Sequence, residues 1–260
     1  MQQDDGRVEL ELQDRDEGQV AWVRMANPRR LNAGSPALIA ALRQTFEDLA
    51  RNGDLRVAVL TGAGERAFMA GADLNALVEL TPESGRAYIT SLHEAASAIR
   101  DLPVPVVGRL RGHCLGAGLE LAAACDFRAA DPSFVMGMPE VRVGLPSVIE
   151  AALLPGLVGW GRAREILLTG ANYGAEEALA MGMIERLVPA DALDTAVEDW
   201  VSRILACGPV AVRSQKALLA RWERLGIDAA IEAGIDHFED AYRTDEPVRM
   251  LAPLMKGKGG

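Results

Sequence analysis

Two glutamates of this 260-residue chain stand in apolar stretches that acids usually avoid. Glu120 lies within Leu119-Glu120-Leu121-Ala122-Ala123-Ala124-Cys125, which reads as a helix apolar on nearly every side. A carboxylate buried there costs several kcal/mol unless it is paired, hydrogen-bonded or neutralised. Glu140 lies in Met136-Gly137-Met138-Pro139-Glu140-Val141, an equally apolar setting. Two such acids suit general acid–base work on a substrate that develops an oxyanion. Each also has a plain structural reading: a salt bridge from Glu120 to Arg109 or Arg111, and a surface pair between Glu140 and Arg142.

A place for the oxyanion is suggested by a weak internal repeat. Residues 57–74 run strand, glycines, loop, then Ala70-Gly71-Ala72-Asp73-Leu74; residues 104–121 run strand, glycine, loop, then Gly116-Ala117-Gly118-Leu119-Glu120-Leu121. Each unit brings small residues to the expected N-terminus of a helix, where the first N–H groups lack internal partners. Two such ends facing each other make a two-donor anion hole; two tight loops without a ligand are the alternative. The glycine spacing fits neither a dinucleotide fingerprint nor a phosphate loop, and no nucleophile elbow is present. Cys114, Cys125, Cys207, His93, His113 and His237 are scattered, so no metal site is expected.

The elements that must position these groups can be read from the pattern. Residues 8–12 alternate as a strand, and residues 20–25 form a second. Ser35-Pro36 opens a helix with Leu38, Leu42, Phe46 and Leu49 on one stripe. Residues 57–61 read as a short buried strand. Thr81-Pro82 opens another helix that ends before Pro103. Residues 104–110 read as a strand, with Pro105 placing its start near an edge or bulge. Residues 112–118 read as a flexible connection, and beyond Pro146 the chain reads as almost wholly helical. Strands alternating with helices, then helices alone, predict an α/β core over residues 1–195 and a helical region over residues 196–260.

Composition narrows the function classes. With 49% hydrophobic and 25% charged residues the chain is neither disordered nor fibrous. A net charge of −10 argues against nucleic acid or an anionic membrane as partner. No apolar run approaches the ~20 residues of a membrane span. The acidic opening residues read as neither signal peptide nor presequence, and cysteines without paired spacing read as reduced thiols. A cytoplasmic location is therefore expected.

Four stretches, in order, resemble the enoyl-CoA hydratase/isomerase (crotonase) superfamily. They are residues 27–33 (Asn-Pro-Arg-Arg-Leu-Asn-Ala), residues 66–74, residues 112–121, and Met138-Pro139-Glu140 with Gly144-Leu145-Pro146; the resemblance extends over roughly residues 8–255. It implies the crotonase (ClpP/crotonase-like) fold of repeated ββα units, with a helical C-terminal region that builds a homotrimer or a dimer of trimers. It implies an acyl-CoA thioester whose carbonyl oxygen sits between the N–H groups of Ala72 and Ala117. In hydratases of the family two glutamates hold one water over the enoyl double bond, and they match Glu120 and Glu140. Members that only shift a double bond often lack the first acid, so an enoyl-CoA hydratase is expected. Contacts to the substrate and its coenzyme A are implied for Arg30, Ala33, Ala70, Asp73, Leu74, Gly116 and Lys256. Coenzyme A belongs to the substrate, and no separate cofactor or metal is implied.

The chain departs from the family pattern in two places. Ala117 stands where glycine is commonest. The glycine-rich continuation after Glu140, with its Thr-Gln-Arg-Leu, is replaced by Pro146-Ser147-Val148-Ile149-Glu150-Ala151-Ala152-Leu153-Leu154. Glu150 is expected at a solvated helix position, with a third acid near the site as the alternative, and His113 is expected to pack. The altered segment leaves isomerase, hydrolase, decarboxylase or lyase chemistry open on the same fold. A binding or scaffold role without catalysis is the reading from another class.

Overall fold

Residues 6–256 are described by the computed structural model. Strands β1 (Arg7–Arg15) and β2 (Gly18–Ala26) form an antiparallel hairpin. β2 turns Val20, Ala21, Val23 and Met25 inward. Helix α1 (Pro36–Ala50) begins where Ser35 Oγ accepts the Leu38 N–H, and it buries the expected stripe of Leu38, Leu42, Phe46 and Leu49.

From there the chain repeats one turn of structure. β3 (Leu55–Gly62) and β4 (Ala67–Met69) are followed by α2 (Leu74–Leu77) and α3 (Pro82–Arg100). β5 (Val106–Leu110) and β6 (His113–Leu115) are followed by α4 (Ala117–Ala123). β7 (Phe127–Ala130) and β8 (Val135–Gly137) form the third pair. In each pair the first strand joins a six-stranded sheet and the second a four-stranded sheet. The larger sheet has the order β1-β2-β3-β5-β7-β10 and is parallel from β2 onward. The smaller has the order β4-β6-β8-β9, with β4, β6 and β8 parallel and β9 antiparallel. The repeat seen in the sequence is thus a real repeat of ββα units.

After β8 come α5 (Leu154–Thr169), β9 (Asn172–Gly174), α6 (Ala175–Met181) and β10 (Arg186–Leu187). The helices α7 (Leu193–Leu205), α8 (Pro209–Trp222), α9 (Ile227–Ala241) and α10 (Glu246–Lys256) complete the described residues. The expected helical stretch beyond Pro146 therefore contains two strands, each too short to show an alternating pattern. The 112–118 connection holds β6. Pro105 sits neither at an edge nor in a bulge: it precedes the central strand β5, where a missing N–H is harmless, and its carbonyl accepts the Ala58 N–H at 3.0 Å.

β3 is buried along its whole length, which explains its unbroken apolar run. One of its faces shares the main core with Leu38, Phe46, Phe68, Leu92 and Leu119. On the other, Val57 and Val59 meet Leu193, Val197 and Val201 of α7. At roughly 1.5–3 kcal/mol for each such side chain, these two layers fix the sheet on which the site is built. No helix among the described residues is long and apolar enough to cross a membrane.

Candidate functional site

The parallel strands β4, β6 and β8 end at the same edge of the smaller sheet. Chain leaving the carboxyl ends of parallel strands is where such sheets bind ligands. β4 runs into Ala70–Asp73, β6 into Gly116-Ala117, and β8 into Met138-Pro139-Glu140. Three motifs far apart in sequence are thereby neighbours.

Backbone conformation or close approach demands glycine at three positions. Gly71 has φ +90°, and a Cβ there would lie 3.4 Å from the Leu115 carbonyl oxygen. Gly116 has φ +52° and ψ −122°, and a Cβ there would collide with Glu140 Oε1. Gly118 abuts the Met69 carbonyl in the same way. Backbone bonds then decide which N–H groups are free. Gly34 donates to the Gly71 carbonyl at 2.9 Å and accepts from Asp73 N–H at 3.3 Å, which leaves the Ala72 N–H facing away from that bridge. Gly116 N–H is taken by the Gly137 carbonyl at 2.9 Å, and the first bond within α4 runs from Glu120 N–H to the Gly116 carbonyl at 3.0 Å. Among the described residues neither Ala72 N–H nor Ala117 N–H has an acceptor.

Glu120 projects from α4 into the interior and is 5% exposed. Its Oε1 accepts the Ala151 N–H at 3.2 Å. Burial pushes its carboxyl up to about 8; the Ala151 hydrogen bond opposes this, and the charges of Glu140 and Glu150 add to it. The salt-bridge alternative is not realised, because Arg109 pairs with Asp194 and Arg111 pairs with Asp131 and Glu65. Glu140, half-buried on the 3-10 turn Pro139–Val143, does not pair with Arg142 either. Its Oε2 accepts a hydrogen bond from Ser147 Oγ at 2.8 Å, and its Oε1 faces Gly116.

Beside this edge, the turn at Pro28–Arg30 packs on the chain leaving β4. Ala70 N–H donates to the Leu31 carbonyl at 3.0 Å. Arg30 forks onto Asp73 at 2.9 and 3.1 Å, and Asp73 also caps α2 by accepting the Asn75 N–H. Ala33 and Ala70 are half-buried and Leu74 is exposed beside them. Arg30, Ala33, Ala70, Asp73 and Leu74 thus lie along the chain on either side of Ala72, and Gly116 immediately precedes Ala117 beside Gly71. Lys256 ends α10, and its side chain lies outside the described residues.

Two expectations are corrected. Glu150 is not solvated: it is 4% exposed, with Oε1 2.9 Å from His93 Nδ1, because the 3-10 turn Ile149–Leu153 packs between α3 and α4 and turns this side chain inward. Among the described residues its Oε2 has no hydrogen-bond partner. His113 does not pack; its side chain is exposed on β6.

Several supporting residues carried no signal in their own right. Tyr88 donates to the Gly34 carbonyl at 2.8 Å and steadies the bridge to Ala72; burial, then the Asp73 charge, pushes its phenol up to about 12. Asn32 is fully buried and donates to the Ala63, Ala67 and Phe68 carbonyls, pinning the early turn to β4. A lone Asn in a Leu-Asn-Ala turn was the available hint.

Comparison with known proteins agrees with this architecture. The family described as Enoyl-CoA hydratase/isomerase matches residues 15–250. The chain is 30% identical to the short-chain-enoyl-CoA hydratase of Clostridium acetobutylicum, covering 93% of this chain and 94% of that one. It is likewise 30% identical to the crotonyl-CoA hydratase of Syntrophomonas wolfei, with the same shares covered. The crystal structure of an enoyl-CoA hydratase from Bacillus anthracis superposes with a TM-score of 0.90 at 29% identity, covering 95% of this chain and 96% of that chain. The ββα spiral is the crotonase fold.

Proposed function

The chain belongs to the enoyl-CoA hydratase/isomerase family, and from that membership we propose that it is an enoyl-CoA hydratase adding water across the 2,3 double bond of a 2-enoyl-CoA thioester. What supports this reading is that Glu140 Oε1 lies against Gly116, next to the Ala117 N–H, and that the buried Glu120 carboxyl feels the Glu140 charge. In this reading the thioester oxygen lies between Ala72 N–H and Ala117 N–H. Water attacks C3, a C–O bond forms, and the π electrons move through C2 to the thioester oxygen as an enolate. Each donor aimed at that oxygen contributes roughly 3 kcal/mol. Glu140 takes the proton released by the water and returns it to C2 as the enolate collapses, so atoms and charge balance without a leaving group. Glu120 holds its own proton near neutral pH, which suits a group that orients the water with one donor and one acceptor oxygen. These steps draw on no metal or redox group, and coenzyme A enters as part of the substrate.

The same reading assigns Arg30, Asp73 and the chain around Ala33, Ala70 and Leu74 to the coenzyme A portion, with Arg30 offering phosphate the N–H groups that its pairing with Asp73 leaves over, and Lys256 to a coenzyme contact. Residues 1–195 are the catalytic core, and residues 196–260 are the oligomerising part. α9 and the residue that caps it support that division by exposing Ile227, Ile231, Ile235, Phe238 and Tyr242 at helical spacing, an apolar stripe of the kind that marks an interaction surface. We assign it to the contact that builds a homotrimer or a dimer of trimers. Three free thiols, two of them buried, accord with a cytoplasmic protein.

The test is the loss of conjugated enoyl-thioester absorbance with crotonyl-CoA, beside Glu120→Gln and Glu140→Gln. Rapid loss in the parent is expected, with Glu140→Gln slowed by about 100-fold or more and Glu120→Gln slowed less, because its amide also offers a donor and an acceptor. Variants as fast as the parent would remove the two-acid mechanism.

A further inference from the structure

The segment after Glu140, which departs from the family pattern, reaches both acids. Ser147 Oγ donates to Glu140 Oε2 at 2.8 Å, and Ala151 N–H donates to Glu120 Oε1 at 3.2 Å. Between them Ile149 is held at φ +41°, an uncommon conformation for a β-branched residue that persists only where its surroundings enforce it. The contact of buried Glu150 with the more exposed His93 anchors the chain on one side. On the other, Leu145 N–H donates to the Glu140 carbonyl at 3.1 Å and Gly144 turns the chain at φ +81°.

Ser147 makes the two oxygens of Glu140 unlike. Oε2 is occupied by the hydroxyl, while Oε1 faces Gly116 beside the free N–H of Ala117. A carboxyl torsion is broad and roughly two-fold, so without a tether either oxygen faces the site. We propose that Ser147 is a positioning residue that directs the proton travelling through Glu140 onto Oε1, the oxygen facing the substrate. A proton on Oε2 would displace the Ser147 hydrogen or force the hydroxyl to turn; a proton on Oε1 meets no such conflict. Ser147 can therefore donate to Oε2 both before and after Glu140 takes the proton, so the acid keeps its aim through both halves of the reaction.

This inference rests on the reading of Glu140 as the acid–base at C2, and the experiment separates the two. Steady-state kinetics with 2-enoyl-CoA thioesters of four to ten carbons would compare Ser147→Ala, Ser147→Thr, Glu140→Gln and the Ser147→Ala/Glu140→Gln double variant. Losing a hydrogen bond to a charged group predicts a fall in kcat of about 10- to 100-fold for Ser147→Ala, with KM within about twofold. Ser147→Thr should recover most of the rate. In the Glu140→Gln background Ser147→Ala should cost nothing further, because the two act as a unit. If Glu140→Gln is crippled but Ser147→Ala keeps the parent kcat, or changes only KM, or costs the same factor in both backgrounds, the role of Ser147 is overturned while Glu140 stands. A fully active Glu140→Gln overturns both.

Discussion

Replacing Glu120 with glutamine should stabilise the protein while slowing it, and the gain should grow with pH. The carboxyl titrates near 4.5 when free and near 8 in the folded chain, raised mainly by burial. Between those values the folded state keeps a proton that the unfolded state has lost. Folding stability therefore falls by about 1.4 kcal/mol for each pH unit in that window. The penalty is absent below pH 4.5 and complete above pH 8. From pH 5 to pH 7 it grows by roughly 2–3 kcal/mol. Glutamine has no such proton, and its amide oxygen can still accept the Ala151 N–H. Every other titrating group is common to both proteins, so the difference isolates Glu120. Urea unfolding at pH 5, 6 and 7, at one fixed protein concentration because assembly adds to stability, should show the parent losing roughly 2–3 kcal/mol relative to the variant. Parallel pH profiles, or a parent that gains on the variant as pH rises, would refute the account of Glu120 as an acid kept protonated by burial.

Two further outcomes follow from the geometry. Gly116→Ala forces a side chain into φ +52° and against Glu140 Oε1, so kcat should fall at least about 100-fold and stability by about 1–3 kcal/mol; kinetics and urea melts check both. Ile231→Asp with Phe238→Asp places charge on the exposed stripe of α9, and sedimentation velocity should then find monomers in place of the assembly.

The sequence made the repeat legible because each turn carries its own punctuation: an apolar strand, glycines where backbones touch, and small residues before a helix. Gly71, Gly116 and Glu120 were readable for that reason, since a positive φ, a close approach or a buried charge leaves few residue types. β9 and β10 were not, because strands of three and two residues carry no period and exist only through their partners β8 and β7. Glu150 misled for a related reason. A glutamate beside alanines looks like a helix surface until the 3-10 turn packs between α3 and α4 and rotates it onto His93. Ser147 is silent in sequence, because a hydroxyl's importance lies wholly in what it touches.

Water addition at C3 with proton delivery at C2 is the centre of the account, and isotopes test it most directly. The protein would be given crotonyl-CoA in ¹⁸O-water and, separately, in deuterium oxide, and the product analysed by mass spectrometry and NMR. The account predicts a 3-hydroxyacyl-CoA with one ¹⁸O on C3 and one deuterium on C2, formed far more slowly by Glu140→Gln. Release of free coenzyme A, a shifted double bond with no ¹⁸O, or unchanged labelling rates in Glu140→Gln would contradict it.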